Sequence, residues 1–470
     1  MHSYTIPMKR PNILLLYTDQ QRWDTIRAGG FDWMHTPNLD RLAAQGTLFN
    51  HCYANCPVCM PSRMSMLSGL YSSAFSQPIN GVEMPDGIRV APNYLKPYSY
   101  HTANIGKLHF INHASFDRDH SQPYPDYGFD TAIISDEPGC YDDAYIRWVR
   151  EQAPEEVDNC RINTPPAWTG KKIDHHPRHA RFPYAFKGPE HLTHSAFVAE
   201  ETAHYIEEQA SRPWFCISGF YAPHCPFNPP ARFLDIYKNA DLPIPQMTHA
   251  DAERYNLSLE EWHNIRAHYF ALVSHLDDQL GVIFEALDRA GVAEDTAIVF
   301  TSDHGEHMGD HGRTGKSAAF DSASRVPLIM SLPKWMDGPR GQICDGIVEA
   351  VDILPTILDL CAVEVPSTLH GRSFRDALHG RSFAFRDSAY IEQGHSLKGD
   401  YYRALRTREH LYEIRNDGTE SLYIVSDDPA QINDRASDPS CADRLHLLRK
   451  KLLDRTFDLL PKTPQRTGEY

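Results

Sequence analysis

The sequence predicts an α/β fold: a large, mostly parallel sheet flanked by helices, followed by a smaller C-terminal antiparallel sheet with a helix. Three observations predict it. Short continuous apolar runs recur between residues 12 and 330, and several end in polar, turn-rich segments. Helical stretches with apolar stripes alternate with them. After Gly371 the alternation gives way to short candidate strands close together in sequence.

Asn12 to Thr18 is a continuous apolar run, as expected of a strand buried on both faces. It ends in Asp19-Gln20-Gln21, and open α/β sheets place their sites just past the C-terminal ends of parallel strands. Taken alone, Asp19 reads as a helix cap or turn residue. Thr36 to Gly46 reads as a helix with Gly46 at its C-cap, and Thr47 to Tyr53 as a second strand. That strand leads into Cys56-Pro57-Val58-Cys59-Met60-Pro61-Ser62-Arg63. Proline is tolerated in a first helical turn, so Cys59 is placed at a helix N-terminus, where free N–H groups and the dipole favour an anion. Arg63, one turn on, points back towards it.

A third strand precedes Gly106-Lys107-Leu108-His109. Alternation puts Lys107 and His109 on one face of an extended segment, and by themselves they read as a solvated surface pair. Residues 112–190 are rich in Pro, His, Asp and Tyr and show little periodicity, which predicts a loop-rich insertion shaping a pocket. Its densest histidine patch, Asp174 to His179, reads as exposed loop. His194 to Glu208 is a helix with Phe197, Val198, Thr202 and Tyr205 on one stripe. Trp214 to Phe220 is a buried strand, and the segment after it holds His224 between two prolines. Glu261 to Ala290 is a long helix with Leu272, Leu276, Leu280 and Ile283 in the core. Thr296 to Phe300 is another buried strand; it runs into Thr301 to Gly312, a glycine-broken stretch dense in ligand-type side chains, including Asp303 and His304. Lys316 and a strand over Arg325 to Met330 follow, and Val351 to Ile357 is the last helix of this unit. Beyond Gly371, Tyr390–Gln393, Tyr402–Thr407, His410–Arg415 and Glu420–Val425 are candidate strands, closed by a helix over Ala442–Leu460. Residues 1–370 are therefore read as the catalytic unit and 371–470 as a C-terminal subdomain.

A chain of 470 residues has room for a large core. Its net charge of −16 argues against a general binder of nucleic acid or anionic membrane. If the substrate is an anion, attraction for it must come from local cations or a metal. The first apolar run is too short to cross a membrane and has no signal-peptide features. Ten cysteines in so long a chain do not form a disulfide framework. The expected compartment is the cytoplasm.

Asn12–Gln20, Cys59–Gly69, Gly106–His109, Pro223–Pro226, Thr301–Gly305, Gly315-Lys316 and Arg325–Leu328 together resemble the sulfatase family of the alkaline-phosphatase superfamily. Leu422-Tyr423 and Asp428-Pro429…Asn433 extend the likeness into the C-terminal part. The specific element is Cys-x-Pro-Ser-Arg…Leu-x-Gly. The resemblance implies an alkaline-phosphatase-like fold and a Cys59 oxidised to formylglycine by a formylglycine-generating enzyme, with the aldehyde hydrating to a geminal diol. It implies that Asp19, Gln20, Asp303 and His304 hold one divalent metal, Ca²⁺ being the family's usual ion. Many members have a second Asp at the position of Gln20 and Asn at that of His304. The forms present here are similar to choline-sulfatase-like and phosphonate-monoester-hydrolase-like members, and an imidazole ligand tilts the ion towards Mn²⁺ or Zn²⁺. Lys107 and His109 match the Gly-Lys-x-His form of sulfatases, which phosphonate hydrolases tend to replace.

The implied reaction is hydrolysis of a sulfate monoester, with the hydrate as nucleophile. Lys107 and Lys316 would neutralise the transferring group, His224 would protonate the leaving alcohol, and His109 would take the proton of the remaining hydroxyl. Arg63 would orient the diol through its fork of N–H donors. The implied substrate is a small anionic ester such as a sulfated sugar; a homo-oligomer is left open.

Three rival readings compete. Cys52, Cys56 and Cys59 fit the Cys-x3-Cys-x2-Cys spacing of iron–sulfur enzymes that cleave S-adenosylmethionine. The same nucleophile could serve a phosphonate monoester or phosphodiester hydrolase. A chain with unmodified Cys59 would be a binding protein for anionic esters. A thiol-based phosphatase is disfavoured because no Cys-x5-Arg loop is present.

Overall fold

The structure is a computed structural model and describes residues 9–75, 79–111, 124–162, 180–395, 399–457 and 459. Among these, the main sheet has nine strands: β1 (Asn12–Asp19), β2 (Thr47–Tyr53), β3 (His101–Gly106), β4 (Thr131–Ile134), β5 (Trp214–Pro223), β6 (Thr296–Ser302), β7 (Arg325–Val326), β8 (Leu328–Ser331) and β9 (Gln342–Glu349). Their order is β4-β3-β5-β1-β6-β8-β2-β7, with β9 paired to β2. The first five strands of that path are mutually parallel; β8 and β7 run antiparallel to their partners.

The continuous apolar run of β1 is explained by its central position. Ile13, Leu15 and Tyr17 enter one core, and Leu14 and Leu16 enter the other. Burying each such aliphatic side chain contributes about 1.5–3 kcal/mol. The face of Leu14 and Leu16 is covered by α1 (Pro37–Gln45) and by the helices His194–Gln209 and Leu259–Arg289. The other face carries α2 (Cys59–Ser68) and the helix Ile353–Leu360. Every residue of α2 is buried, so the helix has no polar face and its sequence shows no clean amphipathic stripe.

The 112–190 stretch is not loop throughout. Residues 131–134 supply the edge strand β4, and the helix Ala144–Gln152 buries Tyr145, Ile146, Trp148 and Val149 in the main core. Their shortness and the Pro-rich flanks hide the periodicity. Asp174 to His179 lie outside the described residues.

The C-terminal sheet is antiparallel in the order β10 (Ala389–His395), β11 (Asp400–Arg406), β12 (His410–Arg415), β13 (Glu420–Ile424). Tyr390, Leu405, Tyr412 and Leu422 pack on Leu445, Leu448 and Leu452 of the helix Ala442–Phe457. Ile391, Ala404 and Leu411 pack on Tyr53 and Ile347 of the main sheet and on Ala319. A buried fork crosses this junction: Arg406 donates from Nε and a terminal nitrogen to the two oxygens of Asp321 at 2.7 and 3.0 Å.

Burial would raise Asp321, but Arg406 outweighs it and holds the carboxyl at about 2. Its pKa is below the unfolded value of about 3.9, so its stabilising contribution is present above that pH and is lost as pH falls through about 2. Arg406→Ala is expected to cost about 3–5 kcal/mol, because it strips the buried Asp321 carboxylate of its bidentate partner and leaves Arg325, at 3.5 Å, as its nearest cation. Urea unfolding midpoints from neutral pH down to about 3 should show this loss and a flatter acid limb than wild type. A loss below about 1 kcal/mol would show that the fork does not hold the junction.

Among the described residues, no two cysteines are joined in a disulfide. Among the described residues, no helix is long and apolar enough to cross a membrane.

Candidate active site

Strand register brings the polar strand ends together. Thr18 of β1 lies opposite Ser302 of β6, so Asp19 and Asp303 emerge side by side, and the Asp303 N–H donates to the Thr18 carbonyl at 3.3 Å. On the other side of β1, Asp19 registers with Pro223 of β5, and His224 is the next residue. Gly106 of β3 lies opposite Gly219 of β5, and Lys107 follows it. These four strands are parallel, so their C-terminal ends share one edge of the sheet.

The Gly106–Gly219 pair is a steric requirement. A Cβ on Gly106, whose φ is +88°, would lie 2.2 Å from the Gly219 carbonyl oxygen. A Cβ on Gly219 would lie 2.1 Å from the Lys107 carbonyl oxygen. Without side chains the backbones close up, and the Lys107 N–H reaches the Gly219 carbonyl at 2.7 Å.

The expectation for Lys107 and His109 needs correction. They lie in a loop past the end of β3, His109 has φ of 58°, and both residues are buried. The left-handed turn breaks the alternation that would have put them on one extended face. Asp136, unnoticed in the sequence, fixes the loop: its Oδ1 accepts the Leu108 and His109 N–H groups at 2.7 and 2.8 Å. Burial and the Lys107 charge hold the His109 imidazole well below the usual range, hence neutral.

Cys59 is the first residue of α2 and is buried. One N-terminal donor is already committed, since the Met60 N–H bonds to Asn80 Oδ1 at 2.9 Å. Lys316 Nζ donates to Cys59 Sγ at 2.7 Å; His304 Nε2 lies 3.3 Å and Asp19 Oδ1 3.7 Å from the sulfur. Asp19, Cys59, Asp303 and His304 offer ligand-type atoms all within 4.8 Å of one another, and all four residues are buried. Cys52 and Cys56 are not in this group. Cys52 sits by Asp352 and Glu349, whereas Cys56 sits by Glu392 and Ser72, so the iron–sulfur reading fails for lack of convergence.

The charges interlock. Lys107 Nζ lies 2.7 Å from Asp19 Oδ2 with both side chains fully buried, and Lys316 Nζ lies 4.0 Å from Asp19 Oδ1. Burial works to raise the Asp19 carboxyl, but Lys107, His224, Lys316 and Arg63 together hold it well below the usual carboxylate range. Burial pulls His304 down to about 4. Its Nδ1–H donates to the Gly305 carbonyl at 2.9 Å, so the neutral ring turns the Nε2 lone pair into the cluster, as a metal-binding imidazole requires. Two carboxylates and a neutral imidazole fit a divalent cation. Burial, reinforced by Asp19 and opposed by Lys316 and Lys107, pushes the Cys59 thiol up to about 11. At neutral pH it is protonated and is not an activated thiolate.

The remaining expected residues also reach this edge. Arg63 donates from Nε to Asp303 Oδ2 at 2.8 Å, and from its terminal nitrogens to the Lys107 and Thr18 carbonyls at 3.0 and 3.2 Å. Its fork braces the carboxylate and the two strand ends. The Gln20 N–H donates to Asp303 Oδ1 at 3.0 Å. The His224 Nδ1–H and the Tyr221 hydroxyl both donate to the Cys225 carbonyl, at 2.7 and 2.8 Å.

Two further residues escaped the sequence reading. The Tyr221 ring centroid lies 4.7 Å from Lys107 Nζ and 4.8 Å from the His224 ring, so one aromatic ring borders both. Glu306, fully buried, accepts the Gln20 side-chain N–H and the Met308 and Gly315 backbone N–H groups. Burial raises it to about 7 against those hydrogen bonds. Its place in the dense Thr301–Gly312 stretch was the available signal.

A family model described as Sulfatase matches residues 11–363, and one described as N-sulphoglucosamine sulphohydrolase, C-terminal, matches residues 309–457. The chain is 27% identical to an arylsulfatase of Clostridium perfringens, over 94% of each chain. It is 28% identical to a multifunctional alkaline phosphatase superfamily protein of Trinickia caryophylli, over 97% of this chain and 99% of the other. The crystal structure of a phosphonate monoester hydrolase of Agrobacterium radiobacter superposes with a TM-score of 0.85 at 25% identity, covering 97% of each chain.

Proposed function

The chain belongs to the sulfatase family, and from that premise we propose that it hydrolyses sulfate monoesters to an alcohol and inorganic sulfate. One observation carries this reading: Cys59, at the head of a buried helix, shares a cluster of metal-ligand type with Asp19, Asp303 and His304, under the Lys316 ammonium. Cys59 as formylglycine supplies, once hydrated, an oxygen nucleophile and a second hydroxyl for product release; the thiol Sγ stands in for that oxygen. A divalent cation held by Asp19, Asp303, His304 and the Gln20 amide oxygen would supply Lewis-acid charge; Ca²⁺ is the proposed ion, and the imidazole favours Mn²⁺ as its rival.

Lys107 and Lys316 put two fixed cations beside the nucleophile position in a buried setting, where they stabilise charge on sulfuryl oxygens better than in water. Arg63 keeps Asp303 in place. His224, with Nδ1 committed to the Cys225 carbonyl, exchanges its proton at Nε2 and is assigned to the leaving alcohol. Neutral His109 is assigned the proton of the second hydroxyl.

A second reading, cleavage of phosphonate monoesters or phosphodiesters, is favoured by the close superposition on a phosphonate monoester hydrolase together with Gln20 and His304. Kinetics on protein produced with a formylglycine-generating enzyme separate the two. The expected result is a higher kcat/KM for p-nitrophenyl sulfate than for p-nitrophenyl phenylphosphonate or bis-p-nitrophenyl phosphate. The reverse order would replace the first reading by the second.

His224→Ala should lower kcat/KM by about 10²–10⁴-fold for alkyl sulfates, whose alcohols need a proton to leave. For p-nitrophenyl sulfate, whose leaving group is stable as an anion, the loss should be much smaller. Equal losses across leaving groups would remove His224 from the acid role.

A further inference from the structure

Glu306 belongs to none of the roles above, yet its carboxylate meets both halves of the site. Oε2 accepts the side-chain N–H of Gln20, and Oε1 accepts the backbone N–H groups of Met308, at 3.0 Å, and Gly315, at 2.5 Å. Gly315 immediately precedes Lys316, the residue whose ammonium reaches Cys59. The backbone of Gln20 is pinned as firmly as its amide. It has φ of 69°, its N–H is on Asp303 Oδ1 at 3.0 Å, and its carbonyl takes the Tyr269 hydroxyl at 2.6 Å. One freedom is left to this side chain: which end of the amide faces Glu306. Ionised, Glu306 only accepts: Oε1 is filled by two backbone N–H groups, and Oε2 selects the NH₂ end of the Gln20 amide, leaving the oxygen as the end available to a cation.

We propose that Glu306 is a positioning residue that fixes the Gln20 amide with its oxygen towards the metal site, making Gln20 a neutral oxygen ligand beside Asp19, Asp303 and His304. This rests on the metal reading given above. It also supplies a physical reason for glutamine at a position where a carboxylate could stand: a second carboxylate facing Glu306 would place two like charges in contact, with no water to screen them. The ligand set then carries the two charges of Asp19 and Asp303, which matches a divalent ion.

The test is a donor–acceptor swap. In Glu306→Gln the new amide oxygen can still accept from Met308 and Gly315, so the loop bearing Lys316 keeps its anchor. The new NH₂ group, however, faces the NH₂ of Gln20. Relief comes from turning the Gln20 amide over, which presents N–H donors to the cation in place of oxygen. In the double variant Gln20→Glu/Glu306→Gln, the carboxylate at position 20 accepts from the new amide and again offers oxygen to the ion.

Calorimetric titration of Ca²⁺ and of Mn²⁺ into metal-stripped protein reads this directly, with the metal-free melting temperature as a fold control. Glu306→Gln should bind about 10–100-fold more weakly, the effect typical of removing an outer partner of a metal ligand, and the double variant should recover most of the loss. Wild-type affinity in Glu306→Gln would overturn the proposal. Loss without recovery in the double variant would also overturn it, because a bare structural brace is not repaired by reversing a donor and an acceptor. If Glu306→Gln fails to fold, the double variant decides alone: wild-type-like affinity supports the pairing and weak binding overturns it. Wild-type protein that binds neither ion would refute the metal reading itself, and this proposal with it.

Discussion

Cys59→Ala is expected to lower turnover of p-nitrophenyl sulfate by at least about 10⁴-fold, with little change in substrate affinity. Lys107, Lys316 and the other cluster residues, Asp19, Asp303 and His304, are supplied by other elements, so the anion site survives while the nucleophile is gone. Cys59→Ser should be nearly as poor in steady state. A serine hydroxyl can attack, but its ester has no second hydroxyl on the same carbon to drive release, so a single-turnover burst followed by arrest is the expected signature. The wild-type peptide carrying Cys59 should show the thiol-to-aldehyde mass loss in proportion to specific activity. Near-native activity in Cys59→Ala, or activity unrelated to the modified fraction, would defeat the mechanism.

Asp19→Asn is expected to cost about 10³-fold in kcat/KM and to weaken divalent-metal binding at the same time. Asp19 is the electrostatic hub. Lys107 lies 2.7 Å, His304 3.7 Å, Arg63 3.8 Å and Lys316 4.0 Å from its oxygens. Neutralising it leaves the fully buried Lys107 ammonium without its nearest counter-charge, so the change should also destabilise the fold by about 3–5 kcal/mol. The folded-state pKa of Asp19 is depressed, so its contribution to stability is present above the unfolded value of about 3.9 and is lost as pH falls below it. The variant should therefore lose stability at neutral pH and converge with wild type in acid. Calorimetric metal titration, kinetics and urea unfolding across pH test the three parts together. Metal affinity and kcat/KM both within about tenfold of wild type would exclude Asp19 from the site.

Much of the site was legible because parallel α/β sheets place function just beyond strand C-termini, and Asp19, Lys107, His224 and Asp303 each follow a readable apolar run. The Cys59 stretch was legible for a different reason: its proline and arginine form a local pattern. The partners of these residues were hidden. Asp136, Tyr221 and Glu306 act through a backbone N–H, a ring face and an amide, and none of those contacts leaves a periodic trace. Arg63 shows the limit from the other side. Its position one turn after Cys59 is local, but the partners its fork holds, Asp303 and two carbonyls, come from elsewhere in the chain.

By itself, the sequence determined the alternating strands and helices, the change of architecture after Gly371, and the helix beginning at Cys59. Those follow from local forces: apolar periodicity and proline at a helix start. Only the tertiary structure decided that Asp19 stands beside Asp303, that Lys107 and His109 are buried and not a solvated pair, and that Cys59 rather than a trio of cysteines meets the ligand cluster. The physical reason is register. Side-chain convergence depends on which strands pair and at which residue, and pairing is settled by the burial of two whole sheet faces, a property spread over several hundred residues and not written into any one motif.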